Sequence, residues 1–294
     1  MTDLMLDAPA VPTKGRSLFQ DAMRRLMRNR AASASAVLLA LIALVCFLGP
    51  LVLPWGLDDV DYAAFMAPPD AAGHWFGTDA NGRDLLVRTL YGGQVSLMVG
   101  VVASLVSLVI GVSYGAVAGY FGGHIDSVMM RLVDILYSLP FMFFVILLVV
   151  FFGRSIVLIF AAIGAVEWLD MARIVRGQTL SLKRREFIEA AEACGVSSGA
   201  IIRRHIIPNT LSPVMIYVTL TVPRVILLES FLSFIGLGVQ EPMTSWGVLI
   251  AEGASNLEIA PWMLVFPAAF LATTLFSLNF LGDGLRDAFD PRDR

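Results

Sequence analysis

Few residues in this chain are spaced for chemistry, and most of those fail on closer reading. His74, His124 and His205 are the only histidines, lie far apart and have no Cys or acidic partner at ligand spacing, so a zinc site is not expected. The only lysines, Lys14 and Lys183, do not follow a glycine, which removes a phosphate-binding P-loop. Gly-x-Ser-x-Gly occurs twice, at Gly111–Gly115 and Gly195–Gly199. That motif is catalytic on a strand-to-helix elbow, a context missing here, and no span interior supplies a histidine to face Ser113. Asp79, Asn81 and Asp84 approach calcium-loop spacing, but Gly82 falls in the wrong place, and turn formation explains them. Arg224 and Glu229 remain, two ionisable residues inside a long apolar run.

Their setting is what gives those two residues weight. The chain is 57% hydrophobic and only 15% charged, with a mean hydropathy of +0.76. Soluble domains carry about a quarter charged residues. Several runs reach the ~20 apolar residues a transmembrane helix needs, and none alternates as a barrel strand would. The expected fold is an all-α polytopic membrane protein with six spans, near Ala36–Leu53, Val95–Tyr120, Val128–Phe152, Ser155–Leu169, Leu211–Leu237 and Pro261–Leu281. The fourth is the shortest, with Glu167 and Asp170 crowding its end.

Lys and Arg fix the orientation. Lys14, Arg16, Arg24, Arg25, Arg28 and Arg30 fill a tail of residues 1–30. Arg173, Arg176, Lys183, Arg184, Arg185, Arg203 and Arg204 fill the polar loop 171–210, and Arg286, Arg292 and Arg294 the C-terminal end. The opposite side keeps Arg83, Arg88 and Arg154 beside many aspartates. Both termini and the 171–210 loop are therefore expected in the cytoplasm, with residues 31–294 forming the membrane domain. The tail is too long for the n-region of a signal peptide. Cys46 and Cys194 read as two buried thiols rather than a disulfide.

At membrane depth an ionisable side chain facing lipid costs roughly 3 kcal/mol or more. Arg224 and Glu229 are five residues apart, a poor spacing for pairing on one helix. Each is expected to reach another helix or a water-filled path. Both are candidates to line or gate such a path, set against an inter-helix ion pair; the ion pair is preferred for Glu229, and for Arg224 the structural and gating roles stay equally open. Arg131 and Asp134, one turn apart, are expected to meet each other. Ser107, Gly111, Gly115, Gly119 and Gly123 recur every four residues, a ridge that admits a close helix neighbour. Pro140, Pro213 and Pro223 mark interruptions in apolar helices.

The 171–210 loop has its own pattern. Phe187, Ala190, Ala191 and Cys194 share one helical face, Gly195 suits the left-handed position after a helix, and Ser197 or Ser198 can cap a second helix. That second helix carries Ile201, Ile202 and His205, and Pro208 is expected to stop it before the fifth span. The pattern fits a docking site for another protein. It fits equally an amphipathic hairpin lying on the membrane.

Glu189-Ala190-Ala191, then Gly195, then His205-Ile206-Ile207-Pro208-Asn209, resembles the signature loop of binding-protein-dependent ABC importer permeases. The histidine is similar to the dipeptide, oligopeptide and nickel branch. His74-Trp75-Phe76-Gly77-Thr78-Asp79, Gly82-Arg83-Asp84, Gly119-Tyr120-Phe121-Gly122-Gly123, Glu229-Ser230 and Gly282-Asp283-Gly284-Leu285-Arg286-Asp287 resemble that branch's C-type subunit, in order along nearly the whole chain. Trp75, Gly93-Gln94 and Thr244 depart from the usual residues, all on the outer side.

The resemblance implies the type I importer permease architecture and a chain without catalysis of its own. It forms half of a pore for di- or oligopeptides in the bacterial inner membrane, the other half being a second, related permease subunit. Two ABC ATPases, binding ATP and magnesium, would engage Glu189, Ala190, Ala191, Gly195, His205 and Pro208. An external substrate-binding protein would deliver the cargo. No cofactor is implied in this chain, and nucleic acid is not a partner. Nickel or another small solute is the alternative cargo. A self-contained secondary transporter would show matched internal repeats, which are absent.

Overall fold

The computed structural model describes residues 18–71, 73–153 and 155–289. Lys14, Arg16, Arg154, Arg292 and Arg294, and with them most of the 1–30 tail, lie outside the described residues. The described residues form helices joined by short turns, with three isolated β-bridges in the segment between the first two long helices. In chain order the helices are α1 (Leu18–Arg28), α2 (Arg30–Val52), α3 (Leu85–Phe121), α4 (Gly123–Ser138), α5 (Phe141–Phe152), α6 (Ile156–Leu182), α7 (Glu186–Ala193), α8 (Ser198–Ile201), α9 (Ile207–Phe234), α10 (Trp246–Ser255) and α11 (Trp262–Phe289).

Caps set the starts of the long helices. The Asn29 side chain accepts from Ala31 and Ala32 at 3.1 and 3.2 Å, and Asp84 accepts from Val87 at 2.8 Å. Asp84 thereby starts α3 ten residues before the expected span. At 37 residues α3 is about 55 Å long, well beyond a ~30 Å hydrocarbon core.

Four described helices are long and apolar enough to cross a membrane: Arg30–Val52, Leu85–Phe121, Ser198–Phe234 and Trp262–Ala288. The expected third span is not one straight helix. It is α4 and α5, bent by 83° at Leu139-Pro140. Pro140 has no N–H to continue the ladder, and it holds Leu139 extended (φ −76°, ψ 127°). Helix α6, expected to end near Leu169, runs on to Leu182 and carries Glu167, Asp170, Arg173 and Arg176 along it.

The prolines of α9 do not act as expected. Pro213 and Pro223 lie within the helix, and Pro208 does not stop the preceding one. Residues Ile202–Ile206 form a π turn, in which the Ile207 amide reaches the Ile202 carbonyl. This wider turn absorbs the missing N–H of Pro208, and the Asn209 amide satisfies the His205 carbonyl at 2.5 Å. Helix therefore continues from Ser198 to Phe234.

The glycine ridge is the seam between α3 and α6. A Cβ on Gly111 would stand 2.5 Å from that of Met171, one on Gly119 2.7 Å from that of Thr179, and one on Gly115 would strike the Ala172 carbonyl. Ser107 extends the seam by donating to the Glu167 carbonyl at 2.8 Å. Gly123 is not part of it: its φ is +53° and its surroundings are open. Arg176 clamps the lower end of α6 to Asp126 of α4 through two 2.5 Å bonds. Asp134 pairs not with Arg131 but with Arg173 of α6, at 2.8 Å, because one turn of α4 points it across the groove. We predict that Gly115→Val lowers stability by about 1–3 kcal/mol, read as an earlier thermal transition in detergent. Gly177→Ala, where a Cβ meets nothing within 4 Å, should leave the transition where it is or raise it.

Candidate functional site

Between α6 and α9 the 171–210 segment folds into a hairpin. Helix α7 ends in a two-bond glycine cap: the Val196 amide donates to the Ala191 carbonyl at 3.1 Å and the Gly195 amide to Glu192 at 2.9 Å, with Gly195 at φ +75°. Ser197 takes the N-cap position of α8 without a side-chain cap bond. The hairpin has two faces. Ile188, Ile201 and Ile206 are fully buried against Val112, Ala116, Met171, Val175 and Val214 of the membrane helices. Phe187, Glu189, Ala190, Cys194, Gly195 and Pro208 are exposed on the other side, Ala191 and His205 partly so. Cys194 is thus not the buried thiol expected; only Cys46 is. The Phe187 and His205 rings stand 6.5 Å apart across the hairpin.

At membrane depth Arg224 reaches α6, as a position unsuited to pairing on its own helix requires. Its Nη1 donates to Asp170 at 3.2 Å and its Nε stands 3.7 Å from Glu167. Glu167 is buried, yet the Arg224 side chain is 58% exposed. Arg224 and Glu167 line a cavity of about 500 Å³ with Phe141, Val166, Leu227, Leu228 and Phe231. Sequence reading left Glu167 and Asp170 as charges crowding a helix end. Their three-residue spacing, one helical turn, was the available signal that they act together.

Glu229 corrects its expectation. It is fully buried but has no cationic partner among the described residues. Serine hydroxyls meet it instead: Ser233 at 2.6 Å, Ser96 at 3.0 Å and Ser230 at 3.5 Å. Ser96 also accepts from the Trp246 amide, so Glu229 joins α3, α9 and the start of α10.

On the other end of the molecule, the described residues of 53–84 pack against the starts of α3 and α11, with Phe76 stacked 4.0 Å from Phe266. Arg88, 1% exposed, pairs with Asp79 and with Glu252 of α10 at 2.9 Å, and Arg83 holds Asp79 at 2.8 Å and Glu241 at 3.0 Å. His74 is clasped between Asp84 at 2.7 Å and Asp61 at 3.5 Å, stacked 4.5 Å from Trp55. The turn read at Asp79, Asn81 and Asp84 is present, with Asp79 accepting from the Asn81 and Arg83 amides. No group of His, Cys, Asp and Glu able to hold a metal occurs among the described residues.

Residues 111–294 match the family model of binding-protein-dependent transport system inner membrane components. The chain belongs to that family. Residues 17–69 of this permease also match the N-terminal transmembrane domain of oligopeptide transport permease C. It is 62% identical over 282 residues to the oligopeptide transport system permease protein OppC of Escherichia coli K12, covering 96% of this chain and 93% of that one. It is 58% identical over 282 residues to the OppC of Haemophilus influenzae, covering 96% and 91%. To the dipeptide transport system permease protein DppC of Bacillus subtilis it is 44% identical, covering 98% and 90%. This permease is a multi-pass inner-membrane protein.

Burial pushes the Asp79 carboxyl up, but Arg88 and Arg83 outweigh it and hold it below the ordinary carboxylate range. A depressed acid contributes stability that is complete above its unfolded value of about 3.9 and is lost as pH falls through the folded value. The stability gap between the native permease and Asp79→Asn, about 3 kcal/mol for a broken buried pair, should therefore be constant from pH 7 to pH 5. It should close only below about pH 4, as read by thermal melts across that range.

Proposed function

We propose that this permease is one half of the pore of an ATP-driven importer for di- and oligopeptides. The other half is a related but distinct permease subunit, both termini lie in the cytoplasm, and a binding protein outside the membrane delivers the cargo. Two ATPase subunits, which hold the ATP and magnesium, grip the hairpin. The relatives' names for oligopeptide and dipeptide transport support the cargo class. The chain itself does no chemistry and needs no cofactor.

One observation carries the docking reading: the hairpin is rooted by Ile188, Ile201 and Ile206 yet presents Phe187, Glu189, Ala190, Cys194 and Gly195 outward. Glu189 offers a carboxylate to the ATPase, Ala190 and Ala191 a slim packing surface, and Gly195, His205 and Pro208 its shape. Arg224 is exposed where lipid contact would cost ~3 kcal/mol, so it faces the partner permease or the route between them. In this reading Arg224, Glu167 and Asp170 gate the route, and Glu229 secures the helix that carries Arg224. Docking drives transport only if the ATPases bind the two states of the pore unequally.

Replacing residues 186–209 with a Gly/Ser linker should release the ATPases from the purified complex while the chain still inserts with its partner permease. Gly195→Asp, which puts a side chain where φ is +75°, should retain insertion but abolish ATP hydrolysis stimulated by the binding protein. Arg224→Met should cut peptide uptake by proteoliposomes at least about tenfold with assembly unchanged, a transition-state cost near 1.4 kcal/mol. Normal uptake would take Arg224 off the route.

A further inference from the structure

The angle between α7 and α8 has to be held by something other than Gly195. A Cβ there would meet nothing within 4 Å, and glycine is the residue least able to resist rotation. Beneath the bend sits Tyr120, in the last turn of α3. Its ring is 6% exposed, packed in the cluster that contains Ile188, Ile201, Ile206 and Val214. Its hydroxyl donates to Glu192 of α7 at 2.9 Å. Ile201 of α8 packs in the same cluster as the ring, so the phenol side chain touches both arms of the hairpin. The Lys183 ammonium stands 5.4 Å from the ring centroid, on the approach to α7.

We propose that Tyr120 is a positioning residue that braces both arms of the hairpin against α3, so that force on the hairpin moves membrane helices instead of flexing Gly195. The two arms lead to different bodies. Helix α8 runs through the π turn directly into α9 and Arg224, whereas α7 follows α6, which the glycine ridge seals to α3. With the phenol in place, the hairpin moves as one piece, and force on it reaches the α3–α6 pair and α9 together. Without it, the bend can open or close at Gly195 and the stroke is dissipated. An apolar cage alone would accept phenylalanine. A buried phenol needs a polar partner, and the Glu192 carboxylate of α7 supplies it.

This inference rests on the docking reading above, and the two can fail separately. The test uses the whole complex in proteoliposomes, with the partner permease, both ATPases, the binding protein and tri-alanine as cargo. Uptake and ATP hydrolysis are measured together and expressed as peptides moved per ATP. Tyr120→Phe should keep the ATPases bound and hydrolysing but lower the ratio about fivefold, at the low end of typical coupling factors. Glu192→Gln, which still accepts the bond, should remain near the native ratio, while Glu192→Ala should match Tyr120→Phe. The Tyr120→Phe/Glu192→Ala double variant should be no worse than either single one, since both remove the same contact. An unchanged ratio in Tyr120→Phe, or losses that multiply in the double variant, would overturn the proposal. Should Tyr120→Phe fail to assemble, Glu192→Ala against Glu192→Gln decides by the same ratio. ATPases that stay bound after the 186–209 replacement would instead remove the docking reading itself.

Discussion

Direct backbone contact between α3 and α6 is the constraint on which the rest of the molecule depends. Between two helices in lipid there is no hydrophobic force to gain, so attraction comes from close packing. Gly111, Gly115 and Gly119 present a face without side chains, and Met171, Ala172 and Thr179 fill it. The register this contact sets places Glu167 and Asp170 opposite Arg224 at one level. At the level of the hairpin it sets the end of α3, with Tyr120, beneath α7 and α8. Shifting the seam by one turn would move both sets of partners by about 5.4 Å, more than any of the bonds could span.

The membrane domain meets its ionisable groups in two ways. Arg224 shares two carboxylates of α6 while keeping much of its side chain accessible. Glu229 is sealed among serines, whose hydroxyls rotate to suit a carboxyl oxygen, and it links three elements without a counter-ion. The outer segment follows a third course, in which Arg88 and Arg83 share Asp79 and spread outward to Glu252 and Glu241. A buried network of that kind specifies geometry more than it adds stability.

The hairpin joins these levels because it is not a separate unit. Its second arm is the beginning of α9, and the π turn at Ile202–Ile206 lets the helix pass Pro208 without a break. Its first arm is tied through Glu192 to the end of α3. A partner that tilts the hairpin therefore acts on two different parts of the membrane domain at once. The exposed, small-residue surface of α7 is where such a partner can approach closely.

Much was legible from residue order alone, because it depends on composition and on short-range spacing. Apolar length identified a helical membrane protein, and the four-residue glycine period announced the close helix pair. Gly195 was readable as the end of a short helix because few other residues adopt its φ. What stayed hidden were the choices made between distant segments. Asp134 chose Arg173 over the nearer Arg131, Glu229 chose serines over a cation, and Pro208 was carried through by a π turn instead of ending a helix. Local rules favour the neighbour one turn away and treat proline as a stop. In the folded chain Arg173, 39 positions from Asp134, takes the place of that neighbour, and the free energy of a buried polar group is decided by whichever partner is actually within reach.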